Sequence, residues 1–137
     1  MPRVGARETE LAVSQALATS PRIRTAILFG SVCEDRFSDH SDVDLAVAAE
    51  DELSYDEMVD LSDNLGNLVG REVQVRDLRR LRGLILREVL TQGRIVKNLD
   101  PDYLGRRIAD MLDFTEDWLP SVRLIQKEQI KRIAGDK

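Results

Sequence analysis

Apolar residues recur along this chain in blocks that alternate between helical and strand spacing. Over residues 6–19, Leu11, Ala12, Gln15, Ala16 and Leu17 follow a helical period, and Ser20-Pro21 ends the run. Residues 23–29 are β-branched and apolar and predict a first strand. Residues 33–41 are polar and acidic, a short helix or a loop. Residues 42–48 return to apolar character as a second strand. Ser54-Tyr55-Asp56-Glu57 has the form of a capping box, in which the serine caps a helix and the glutamate reaches back. That helix places Met58, Leu61, Leu65 and Leu68 inward and ends near Gly70. Residues 72–78 alternate, with Val73 and Val75 set against Glu72, Gln74 and Arg76, a third strand. Leu81, Leu84, Ile85, Val89 and Leu90 mark another helix closed by Gly93, and residues 94–97 suggest a short fourth strand. Such alternation predicts an α/β (α+β) sandwich with a small mixed sheet flanked by helices. After Asp100-Pro101 a further helical period runs through Leu104, Ile108, Met111, Leu112, Trp118, Leu119, Val122, Ile125 and Ile133, with Pro120 expected to kink or divide it.

The chemistry concentrates at the junction of the first two strands. The apolar run Ile27-Leu28-Phe29 is broken by Gly30-Ser31; ten residues follow, then Asp42-Val43-Asp44 opens the second strand. Two positions apart on a strand, Asp42 and Asp44 face the same way, about 6.6 Å from Cα to Cα. At that spacing two carboxylates repel by roughly 2.5 kcal/mol at an effective dielectric near 20. The pair is stable when solvated or when it holds a cation, and hard oxygen ligands suit a magnesium ion carrying phosphates. Gly30 allows backbone N–H groups to approach a phosphate, Ser31 adds a hydroxyl donor, and a short helix starting there would favour an anion. An Asp-x-Asp alone is common and equally fits two acids facing water. Set ten residues after Gly-Ser and between two apolar strands, it is far more specific.

The 137 residues amount to one domain with a single modest core. With 42% hydrophobic and 33% charged residues the chain is globular. No apolar run approaches the ~18 residues of a membrane span, and the first residues lack the apolar segment of a signal peptide. A single cysteine, Cys33, excludes an internal disulfide and fits a reducing cytoplasm; an inert packing role suits it best. The net charge of −5 argues against direct nucleic-acid binding by charge. Arg76, Arg79, Arg80 and Arg82 form the one basic cluster, read as a solvated helix start. His40 falls in the turn before the aspartate pair, without histidine or cysteine partners at zinc-ligand spacing.

Gly30-Ser31, ten residues and Asp42-Val43-Asp44 together resemble the signature of the nucleotidyltransferase superfamily with the DNA polymerase β-like fold, and most of all its small MNT (minimal nucleotidyltransferase) branch. The resemblance spans roughly residues 6–98. It implies a nucleotidyltransferase core over residues 1–98, with residues 99–137 a C-terminal helical extension of the same domain. It implies Asp42 and Asp44 as catalytic, Mg2+-binding residues and Gly30 and Ser31 as nucleotide-binding ones, with ATP as substrate. Members of the branch are often antitoxins of HEPN–MNT pairs, so the implied partner is a HEPN-domain ribonuclease toxin. The implied reaction is transfer of AMP to a toxin hydroxyl, by family analogy a tyrosine, which silences it.

Two departures from the family pattern bear on turnover. The third carboxylate belongs in a stretch like Val-Asp-Leu-Val; here that stretch is Val73-Gln74-Val75-Arg76, so Gln74 takes its place and can neither carry the charge nor act as a base. Glu72 shares the strand face and is the candidate substitute, or else simply a solvated strand residue; Asp77 points to the other face. Val32, Cys33, Glu34, Asp35 and Arg36 stand where relatives often have arginine and glycine. These features keep a second function open, an MNT-fold antitoxin that neutralises its toxin by binding alone. An aminoglycoside-type or RNA nucleotidyltransferase fits the short, acidic chain less well. In the extension, Leu104, Ile108 and Leu112 are expected to pack inward, and Trp118 with the later half to contact another chain.

Overall fold

The structure, a computed structural model, describes residues 5–34, 37–38 and 40–118. Its elements in chain order are α1 (Ala6–Ala18), β1 (Thr25–Phe29), a 3-10 turn (Gly30–Cys33), β2 (Val43–Ala48), α2 (Tyr55–Val69), β3 (Val73–Asp77), a second 3-10 turn (Leu78–Arg80), α3 (Gly83–Gln92), β4 (Arg94–Asn98) and α4 (Pro101–Trp118). The strands form one sheet in the order β3-β2-β1-β4. β1 runs antiparallel to both β2 and β4, whereas β2 and β3 are parallel. Parallel neighbours need a crossover, and α2 provides it. This is the mixed sheet flanked by helices that the alternation predicts.

Side-chain alternation divides the core into two layers. On one face Ala26, Leu28, Val43, Leu45, Val47 and Val73 pack with Val13 and Leu17 of α1 and Leu65 and Val69 of α2. On the other, Ile27, Phe29, Ala46 and Ala48 meet Leu86, Val89 and Leu90 of α3 and Tyr103, Leu104, Ile108 and Met111 of α4. All of β1 is buried, so it reads as a continuous apolar run.

The helix starts follow local chemistry. Ser54 Oγ accepts from the Glu57 N–H at 3.1 Å, and Glu57 Oε2 accepts from the Ser54 N–H at 2.7 Å. Gly70 closes α2 in the left-handed region at φ 69°, where its N–H donates to Gly66 O.

Some expected inward positions turn out differently. In α1 the buried stripe is Thr9, Val13 and Leu17, an i, i+4, i+8 row, and Leu11 is exposed. In α2 Leu65 and Val69 are buried and Leu68 faces solvent; in α3 Leu84 does the same. Leu68 is one residue from Val69 at the edge of the stripe, whereas Leu11, two residues from both Thr9 and Val13, lies on the opposite side of α1. Leu104 and Met111 are buried in the second core layer, and Leu112 packs against it partly buried. The side chain of Trp118, together with Leu119, Pro120, Val122, Ile125 and Ile133, lies outside the described residues, as do Asp35 and Arg36.

Candidate active site

Pairing between β1 and β2 sets Phe29 opposite Asp44, so the end of one strand and the start of the next bring Gly30 against the aspartate pair. Gly30 has φ +77°, and a Cβ added there would lie 2.5 Å from Asp44 Oδ2. Only glycine satisfies both the backbone conformation and this approach. Ser31 lies in the 3-10 turn, its hydroxyl directed at Asp42 O at 3.4 Å, and the Glu34 N–H returns to Ser31 O at 3.0 Å. The expected helix start at Ser31 is a four-residue 3-10 turn beginning at Gly30, too short to add a helix dipole.

Asp42 is exposed and Asp44 half-buried. Burial pushes the Asp44 carboxyl above its ordinary value; Arg76 pulls it back, while Asp42 and Glu88 add to the rise. A cation bound here would relieve the penalty on the ionised pair. Magnesium is commonly held by one or two carboxylates together with substrate phosphates. The pair and the glycine cradle beside it fit that donor set. Among the described residues no group of three or more His, Cys, Asp or Glu side chains is placed to hold a metal ion.

The β2–β3 register places Asp44 beside Gln74 and Ala46 beside Arg76. Gln74 therefore occupies the position flanking Asp44, and it is exposed. Glu72 precedes β3, and its carbonyl accepts from the Val43 N–H at 2.9 Å. It is exposed and lines a hollow with Ser62, Asp63 and Gly66 of α2. Asp77 is buried on the opposite face, where it accepts from the N–H groups of Leu53 and Arg79 and ties the loop after β2 to the end of β3. Cys33 Sγ lies 3.3 Å from Leu28 O, and burial raises its thiol pKa, which keeps it protonated and unreactive. His40 sits in an exposed turn, its N–H directed at Ser38 Oγ.

The four arginines read as one solvated cluster are not one feature. Arg79 donates to Ala49 O and Glu50 O and stacks over the Tyr103 ring at 4.5 Å. Arg80 pairs with Glu52 at 3.2 Å, and Arg82 donates to the carbonyls of Arg79 and Leu81. Arg76 alone lies on the face of Gln74 and Asp44.

Sequence reasoning missed Arg71. It is buried, its guanidinium donates to Ser38 O and Ser41 O, and it stacks on Phe37 at 4.0 Å. In this way the start of β3 anchors the loop that delivers Asp42. The available signal was weak: a lone arginine directly after a helix-ending glycine, with nothing local to show what it reaches.

A strand–glycine turn–strand unit thus presents two aspartates at one end of a mixed sheet. The family model "Polymerase beta, Nucleotidyltransferase" matches residues 12–102, and the chain belongs to that family. It is 31% identical over 74 residues to the protein adenylyltransferase MntA of Shewanella oneidensis, a match covering 54% of this chain and 53% of that protein. The chain thus aligns with about half the length of this relative. The fold is similar to that in a crystal structure of a toxin–antitoxin with AMP-PNP, with TM-score 0.68, 22% identity and coverage of 87% of this chain and 96% of that one. It is similar as well to a chain in the structure of a tri-AMPylated Shewanella oneidensis HEPN toxin in complex with MNT antitoxin, with TM-score 0.64, 19% identity and coverage of 90% and 97%.

Proposed function

We propose that this protein is the antitoxin of a HEPN–MNT pair and transfers AMP from ATP to a hydroxyl, by family analogy a tyrosine, of its cognate HEPN ribonuclease toxin. The observation that carries the reading is the packing of Gly30 against Asp44, with Asp42 two residues earlier. The naming of its relative as a protein adenylyltransferase supports the chemistry. The toxin complexes that share its fold support the partner.

Asp42 and Asp44 would hold Mg2+, which when bound would neutralise charge on the triphosphate and polarise its phosphoryl oxygens. Gly30 leaves room for the phosphates beside Asp44, and the Ser31 hydroxyl is a donor for them. The acceptor oxygen forms a bond to the α-phosphorus as the bond to the α–β bridging oxygen breaks. Pyrophosphate departs with that electron pair, and the acceptor's proton leaves to a base. Gln74 cannot take it, and Glu72 borders the hollow against α2, so the proton passes to water. A free, half-buried Cys33 thiol suits the reducing cytoplasm.

A second reading, neutralisation by binding alone, is favoured by Gln74 standing directly beside Asp44. Intact-mass measurement of the HEPN protein after incubation with this chain, ATP and Mg2+ separates the two. Added AMP that disappears with Asp42→Asn and Asp44→Asn supports the enzyme. A stable complex without added mass leaves the binding module.

A further inference from the structure

Arg76 departs from the four other described arginines on or next to β3. Arg71, Arg79, Arg80 and Arg82 are each committed to carbonyls, aromatic rings or a carboxylate. Among the described residues Arg76 has no hydrogen bond or ion pair, and it is exposed. The parallel register sets it beside Ala46, one side-chain repeat beyond the Asp44–Gln74 pair and on the same face. Alanine is small, so on β2 no side chain longer than a methyl stands beside it on that face. Arg76 also follows by two residues the position where the third acid is lost. The face of β3 next to Asp44 thus carries a neutral amide and a guanidinium, while Asp42 and Asp44 carry the negative charge and both Arg76 and Glu88 of α3 act on Asp44 through space.

Among these carboxylates Arg76 is the group that can meet an anionic ligand. A guanidinium offers five N–H donors in a planar fork that matches phosphate oxygens, and its charge needs no bound metal. We propose that Arg76 is a phosphate-binding residue of this site. It takes a non-bridging oxygen of the nucleotide's phosphates and supplies fixed positive charge where two-metal sites use a second cation. The proposal rests on the nucleotidyltransferase reading and adds to it a residue role specific to this chain. Loss of the third acid and gain of Arg76 become one change: the site gives up a carboxylate for metal and acquires a cation for phosphate.

Calorimetric titration of the full chain with ATP, in Mg2+ and again in EDTA, tests this. Arg76→Gln is expected to weaken ATP binding at least about tenfold in both media, the range for a lost charge-assisted hydrogen bond. Adenosine affinity should be unchanged. Arg76→Lys should recover part of the loss. Arg80→Gln, which removes an equal charge from the Glu52 pair, should leave ATP affinity as it was. Unfolding midpoints confirm that each variant is folded. Equal or tighter ATP binding by Arg76→Gln overturns the proposal, as does an equal loss in Arg80→Gln. If the unaltered chain binds no ATP with Mg2+, the nucleotidyltransferase reading falls, and this proposal falls with it.

Discussion

Asp44 is where function and stability oppose each other. Its folded-state pKa is raised, first by burial. As pH rises from the ordinary aspartate value through the folded one, the unfolded chain ionises first and the native state loses stability. At neutral pH without metal, Asp44→Asn is therefore expected to raise the unfolding midpoint by a few degrees in a thermal melt, while abolishing AMP transfer. Gly30→Ala should act in the opposite sense: the φ of +77° and the approach to Asp44 Oδ2 both exclude a methyl, so stability and nucleotide binding fall together. Gln74→Asp restores an acid beside Asp44. Because general-base help is worth about 10²–10⁴ in rate, the variant is expected to speed transfer at least about tenfold in a single-turnover mass assay.

The elements owe their ends to local contacts that short-range patterns describe well. The capping box of α2 is formed as its four residues predict, and Arg22 reinforces it, donating from Nε to Glu57 Oε1 at 2.8 Å and from Nη1 to Asp51 Oδ1 at 2.5 Å. Glu57 is held down to about 2, first by Arg22 and then by the Ser54 N–H. That contribution is present above the usual carboxylate range and is lost as pH falls toward 2; water screens it, so it is small. Removal of the cap by Ser54→Ala should cost about 1 kcal/mol in denaturant unfolding. Other element ends depend on distant residues. Lys97 on β4 donates to Leu17 O and Ser20 O at the end of α1, and Arg71 holds the loop before β2. No window of neighbouring residues could show these partners. The same limit explains Leu11, Leu68 and Leu84: an apolar residue can fit a helical period, but only the contact with the sheet decides which row is covered.

At the scale of the whole molecule, α4 supplies a large part of one core layer. Tyr103, Leu104, Ile108 and Met111 cover the face formed by Ile27, Phe29, Ala46 and Ala48 together with α3. Arg107 of α4 is buried and donates to Leu81 O just before α3. A chain ending at residue 98 is therefore expected to lose its cooperative thermal transition, although the motif lies entirely within it. Met111→Ala, at a fully buried position, should cost about 2–5 kcal/mol and leave the fold recognisable by circular dichroism.

Local pattern alone determined the order of helices and strands, the cap of α2, the glycine–serine turn and the place of Asp44 at the start of β2, with Asp42 just before the strand. Each depends on residues within a few positions of one another, through alternation, capping and the lack of a Cβ. The signature also marked Gln74 as the site of the missing acid. Tertiary structure decided what lies beside what: that Gln74 flanks Asp44 while Glu72 borders a separate hollow, that Arg79 braces the fold, and that Arg76 stands open on the site face. These are consequences of pairing β3 parallel to β2 in one register. Register is a relation between strands 30 residues apart, fixed by packing both faces of the sheet at once, and a one-residue slip would exchange every one of those neighbours.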